Sequence, residues 1–171
     1  MIKVYIQGIK DGAYDVSQEA PVGDVPEMYP EFFGNIRLNG RLMKFADRLT
    51  FTGTAECDAR FVCDISGTEY TETVSASIST SYILESKQRG GRHSDALTPE
   101  EGVRVIGEED KYIDLGGDVR EELAVSIPMK KIAPQYRGKS FEDVYPEYSP
   151  GSKDKNDIDE RWSVLNKLKI N

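Results

Sequence analysis

Alternation of apolar and polar residues dominates the first half of the chain. Ala55, Cys57, Ala59, Phe61 and Cys63 fall on one side of an extended strand, and Thr54, Glu56, Asp58 and Arg60 fall on the other. A period of two marks an antiparallel strand with one face in the core and one in water. Residues 64–68, Asp-Ile-Ser-Gly-Thr, supply turn chemistry. Alternation then resumes with Tyr70, Val74, Ala76, Ile78, Tyr82 and Leu84 against a face of serines and threonines. The two runs predict a long β-hairpin. Ile36–Leu38 and Leu49–Phe51 read as further strands of the same sheet, and Ile2, Val4 and Ile6 define a strand over residues 2–7. Residues 8–34 carry Gly8, Gly12, Pro21, Gly23, Pro26, Pro30 and Gly34. They read as mainly loop, with a short helical turn near Glu27-Met28-Tyr29.

The second half changes period. Residues 86–102 are a polar loop, followed by short strand candidates at Val103–Ile106 and Tyr112-Ile113. Val119, Leu123 and Ile127 are spaced by four, which predicts a helix near 115–127 that Pro128 ends. Gly116-Gly117 weaken its first turn. Residues 133–156 hold no period and read as an irregular or mobile segment. Asp157 with Glu160 fits an acidic capping box, and Ile158, Trp162 and Leu165 share one face, so a C-terminal helix is expected near 158–168. The fold class is therefore α+β: one domain over 1–171 with a twisted antiparallel sheet, barrel-like if it closes, and two helices. Trp162 and Leu165 should pack onto the sheet or the first helix.

Net charge changes the list of partners. At -8, the chain lacks the general basic surface that non-specific nucleic-acid binding requires, so any RNA contact needs a local patch, and DNA is not expected. No run approaches the roughly 20 apolar residues of a membrane span. The N-terminal stretch alternates and has no apolar signal core, which places the protein in the cytoplasm. Cys57 and Cys63, six residues apart, would lie about 20 Å apart on one strand. A disulfide needs about 5.5 Å between Cα atoms, so none is expected between them.

Candidate chemistry is sparse. The sole histidine, His93, sits beside Gly90-Gly91 with no evident nucleophile to serve. Two cysteines and one remote histidine do not make a metal set, so no metal and no cofactor are expected, and the cysteines read as small core residues. Glu100-Glu101 and Glu108-Glu109-Asp110 read as solvated acidic surface rather than a converging acid–base pair. Two cationic clusters remain: Lys87, Arg89 and Arg92, and Lys130, Lys131, Arg137 and Lys139, the second with Tyr136 inside it.

One stretch is recognisable. Ile113-Asp114-Leu115, then Val119 through Leu123 and on to Ile127-Pro128-Met129-Lys130, resembles the pattern "IDL…v.EEl.L.LPmk" of the YceD family. This is the large-ribosomal-RNA-subunit accumulation protein family, long classed as a domain of unknown function. Arg161-Trp162 and Leu165 resemble its closing "DPRwa.L", with Glu160 in place of the proline. Gly53 through Cys63-Asp64-Ile65-Ser66 is similar to its glycine and CxRC pair, with Cys63 in the first cysteine position and Ser66 in the second. Many relatives end in a tail close to CKGLCPxCG, and here Tyr136, Ser140 and Asp143 occupy the cysteine positions.

The resemblance implies a non-enzymatic role in accumulation or assembly of the large-subunit (23S) ribosomal RNA. The partner would be pre-ribosomal RNA or a large-subunit ribosomal protein, and an acidic factor suits the second through opposite charge. Lys130, Lys131, Arg137 and Lys139, with Lys87, Arg89 and Arg92, are the expected contacts. Cys63, Asp114, Glu122, Pro128, Arg161, Trp162 and Leu165 are expected to be structural, Glu122 as a cap or buried ion-pair partner. Two rival readings stay open. A curved sheet could hold a small molecule in a deep apolar pocket, or the 108–110 acids could serve an enzyme.

Overall fold

The computed structural model describes residues 1–85, 102–107 and 109–148. The expected helix near 158–168 lies outside them. The long hairpin is present as β4 (Arg48–Val62) and β5 (Glu69–Glu85), paired without interruption from Arg48 opposite Ile83 to Val62 opposite Glu69. Its inward face is the alternation seen in the sequence: Phe51, Ala55, Cys57, Ala59 and Phe61 meet Val74, Ala76 and Ile78, all buried. The opposite face presents Thr52, Thr54, Ser75, Ser77 and Ser79 to water. β3 (Phe32–Phe45) adds Phe32, Ile36, Leu38 and Leu42 to the same dry side.

β3 and β4 form one continuous hairpin, longer than the short strands expected at 36–38 and 49–51. Its two-residue turn, Ala46-Asp47, lacks the usual Asn-Gly signal. Ala46 takes a positive φ of 52°. The Asp11 carboxylate accepts its amide (3.2 Å) and Lys44 Nζ donates to its carbonyl (2.9 Å). A second irregularity, between Phe33 and Arg37, places extra residues in β3 around Gly34, whose φ is 75°.

Two expectations need correction. Residues 8–34 are not mainly loop, because Gly12–Pro21 form β2, which pairs antiparallel with β3 along its whole length. Gly12 and Pro21 stand at the ends of that strand, where they punctuate it rather than break it. β2 is the sheet edge and only half buried, through Tyr14, Val16, Gln18 and Ala20, which blurs its apolar alternation. The sheet is also not wholly antiparallel. β6 (Val103–Gly107) lies parallel to β5, from Ser81 opposite Val103 to Glu85 opposite Gly107. A parallel neighbour needs a long crossover, and the 86–102 connection supplies the length. The strand order is β2-β3-β4-β5-β6, with open edges, so the sheet does not close into a barrel.

The dry face needs a cover. β1 (Lys3–Tyr5) and β7 (Tyr112–Asp114) make a separate two-stranded ribbon that brings Ile2, Val4, Ile6 and Ile113 onto it. α1 (Gly116–Val125) lies against β5 and β4 and buries Val119 and Leu123, with Ile127 packed beside them. It falls within the span that the period of four predicted. No helix among the described residues is long and apolar enough to cross a membrane.

The tightest point of the core is the facing pair Gly40 and Gly53, with the Phe51 ring across it. A Cβ on Gly53 would stand 2.5 Å from the Asn39 carbonyl oxygen and 2.8 Å from the Gly40 Cα. Gly53→Ala should therefore lower stability by about 1–3 kcal/mol, the range for overpacking a core. Gly117, in the first turn of α1, has open space around its Cβ position. Gly117→Ala should raise stability by about 0.5–1 kcal/mol through helix propensity. Urea midpoints of the two variants, moving in opposite directions, check both.

Candidate cationic surface at the hairpin end

The turn that joins β4 to β5 anchors the segment after α1. The Asp64 amide donates to the Lys131 carbonyl and the Lys131 amide donates to Asp64 Oδ2, each at 2.7 Å. Next to this clasp, the amide of the buried Ala133 donates to Cys63 Sγ at 3.4 Å. Arg137 reaches the Glu72 carboxylate on β5. Residues 129–139 are thus tied across the end of the hairpin, and Lys130, Lys131, Arg137 and Lys139 come with them.

The four cations are not equivalent. Lys131 is half buried, with its ammonium 5.4 Å from the centre of the Phe61 ring. Arg137 is paired with Glu72. Both act partly as tethers. Lys130 and Lys139 are exposed, and Val125 and Met129 add exposed apolar surface on the chain leading to Lys130. Lys87, Arg89 and Arg92 lie outside the described residues, as do His93, Arg161, Trp162 and Leu165.

Positions where the resemblance sets cysteines carry other order here. Ser140 caps α2 (Phe141–Val144): its Oγ accepts the Asp143 amide (3.2 Å) while Asp143 Oδ2 accepts the Ser140 amide (2.8 Å). Two of the substituted positions therefore form a capping box. Short 3-10 turns at Pro134–Tyr136 and Pro146–Tyr148 flank it. Ser66, in the second cysteine position, turns back on Cys63.

Cys63 and Cys57 are both free and buried. Burial alone would push the Cys63 thiol up. The Ser66 hydroxyl and the amides of Ala133, Ser66 and Ile65 outweigh it, and bring the thiol from 9.0 down to about 7. Burial raises the Cys57 thiol instead, and Asp58 adds to the rise. Among the described residues no three metal-ligating side chains converge.

Elsewhere the expected residues take plain roles. Asp114 is exposed and its Oδ1 accepts the Gly116 amide (2.9 Å), which steadies the start of α1. Pro128 is exposed beyond the end of α1. Glu122 is exposed, so it is not the buried ion-pair partner expected of it. That part falls to Asp118, 8% exposed, which takes both Arg104 guanidinium nitrogens at 2.7 and 2.6 Å. The pair fastens α1 to the edge strand β6. Sequence reasoning missed it, because nothing in either segment announces a partner in the other. Glu109 and Asp110 lie exposed on the turn after β6, with Asp110 Oδ2 accepting the Gly107 amide (2.9 Å). Both line an open cleft together with Lys111 and Asp114, and Glu108 is outside the described residues.

These features define an α+β scaffold that carries a tethered cationic segment on an acidic chain. A family model described as large ribosomal RNA subunit accumulation protein YceD matches residues 51–169. The chain belongs to this family, whose description gives it a role in accumulation of large-subunit ribosomal RNA. No curated protein and no solved structure gives a match.

Two outcomes follow from this geometry. Because the Cys63 thiol is lowered in the folded state, its contribution to stability is complete above pH 9.0 and fades as pH falls toward about 7. Denaturant titrations across that window should show wild type losing stability relative to Cys63→Ser as pH is lowered. Arg104→Ala leaves the Asp118 carboxylate buried without its partner and should lower stability by about 1–3 kcal/mol. The double variant Arg104→Ala/Asp118→Ala should lose less than the sum of the single changes, which a double-mutant cycle measures.

Proposed function

We propose that this protein works in the cytoplasm as a non-enzymatic binding factor for the precursor of the large ribosomal subunit. It sustains accumulation of the large-subunit ribosomal RNA by holding pre-ribosomal RNA or a ribosomal protein. The observation that carries this reading is the family match over residues 51–169, which contains the tethered cations of the hairpin end. On a chain of net charge -8, a contact with phosphates has to come from such a local cluster. Lys130 and Lys139 are the contacting cations in this reading, and Lys131 and Arg137 hold the segment in place.

The small-molecule alternative needs a deep apolar pocket under the sheet. The dry face is instead filled by Phe51, Phe61, Ile78, Leu115 and Leu123, and nothing specific favours that alternative.

The test reverses the exposed charges and spares the tethers. Lys130→Glu/Lys139→Glu should fold as wild type and lose co-sedimentation with large-subunit precursors. If the contact is to RNA, the slope of log affinity against log salt should also fall by about two. Unchanged co-sedimentation would remove this surface from the mechanism.

A further inference from the structure

β6 and β7 are neighbours in sequence but belong to different sheets. Among the described residues β6 is the edge of the five-stranded sheet, and β7 pairs with β1 alone. Between them lies an open cleft of about 490 Å³, lined by Tyr82 and by residues 104–106 and 109–114.

Among the described residues, main-chain groups on both sides of this cleft lack strand partners. The Ile6 amide donates to the Lys111 carbonyl (2.9 Å) and the Leu115 amide donates to the Ile2 carbonyl (2.8 Å). Bonding alternates along an antiparallel ladder, so Lys111, Ile113 and Leu115 turn their groups to β1 while Tyr112 and Asp114 turn theirs the other way. β6 likewise uses every second residue on β5 and leaves the others on its free edge. Tyr82 also lines the cleft. It is 3% exposed.

Charge decides the occupant. Glu109, Asp110 and Asp114 line the cleft. Arg104 is committed to Asp118 by two hydrogen bonds, which leaves Lys111 as the opposing cation of the lining. RNA would meet three carboxylates here. The exposed ring on which a base would stack, Tyr112, already has the Lys3 ammonium 4.0 Å from its centre. A cationic chain in extended form meets neither obstacle, and it can pair with the strand edges.

We propose that the β6–β7 cleft binds an extended, lysine- or arginine-rich protein segment as an added strand. This goes beyond the reading above, since it places a basic protein at a second surface and does not depend on Lys130 or Lys139.

The probe is a short synthetic peptide of alternating lysine and valine, added to the full chain and followed by fluorescence anisotropy and amide hydrogen exchange. Binding should protect amides of Tyr112, Asp114 and β6. The same peptide N-methylated at alternate residues keeps its charge but cannot pair as a strand, and should bind about tenfold more weakly or worse. Lys111→Glu, an exposed change, should tighten binding of the unmethylated peptide. Four results would overturn the proposal: equal binding of the methylated peptide, protection confined to other strands, an oligoribonucleotide protecting the same amides, or self-association of the chain through this cleft. Each can be read whatever the Lys130/Lys139 sedimentation result, so the two ideas fail separately.

Discussion

Wetting of only one face of the β3–β4–β5 sheet is the constraint from which the rest of the structure follows. Along β4 and β5 the inward row is apolar or small except for the half-buried Glu72 near the hairpin end, and the outward row is largely serine, threonine and charge. A shift of one residue in pairing would put Phe51 and Phe61 in water and Thr52 and Arg60 in the core. The register is therefore fixed, and the dry face must be covered by something else. Two short elements do this. The β1–β7 ribbon and α1 are each too small to stand alone, and each is held by burial against the sheet. The Arg104–Asp118 pair is the polar fastening between the helix and the edge strand.

That same period made the centre of the fold legible from sequence. The β4–β5 hairpin was readable because its alternation is long and clean, and α1 because Val119, Leu123 and Ile127 repeat at four. What escaped was whatever depends on partners distant in the chain. β2 has one half-buried face and borrows its order from β3, so its own pattern is weak. The Ala46-Asp47 turn carries no turn signature, because its geometry is supported by Asp11 and Lys44. The parallel placement of β6 is a topological fact with no local mark. Likewise, Asp118 is one of several acids near α1, and only the fold singles it out.

The cationic segment was found from sequence as a cluster, but its division of labour was not. Lys131 and Arg137 look like Lys130 and Lys139 in composition. Only the hairpin end distinguishes them, by offering Asp64, Phe61 and Glu72 to the first two. The substituted cysteine positions teach a related lesson. Where the family resemblance sets cysteines, Ser66 donates to the Cys63 sulfur, and Ser140 with Asp143 closes a capping box. Hydrogen bonds order this part of the chain through ordinary backbone chemistry. The Asp64–Lys131 clasp supplies the long-range tie between the turn and the segment that follows α1.

If both proposals hold, an acidic chain with a small cationic surface has two routes to a ribosomal precursor, and electrostatics keeps them apart. Cations at the hairpin end are attracted to phosphate, but only at short range, because the surrounding net charge is negative and salt screens beyond about 10 Å. Carboxylates at the β6–β7 cleft repel phosphate and favour a cationic protein chain. A precursor particle offers both kinds of surface side by side. One scaffold could then touch both without either contact weakening the other, because the clasp at the β4–β5 turn and the turn after β6 belong to separate parts of the structure. In that arrangement the sheet acts as a spacer. Its register fixes the geometry between two opposite charges, and the ladder that sets the core also sets what the surface can hold together.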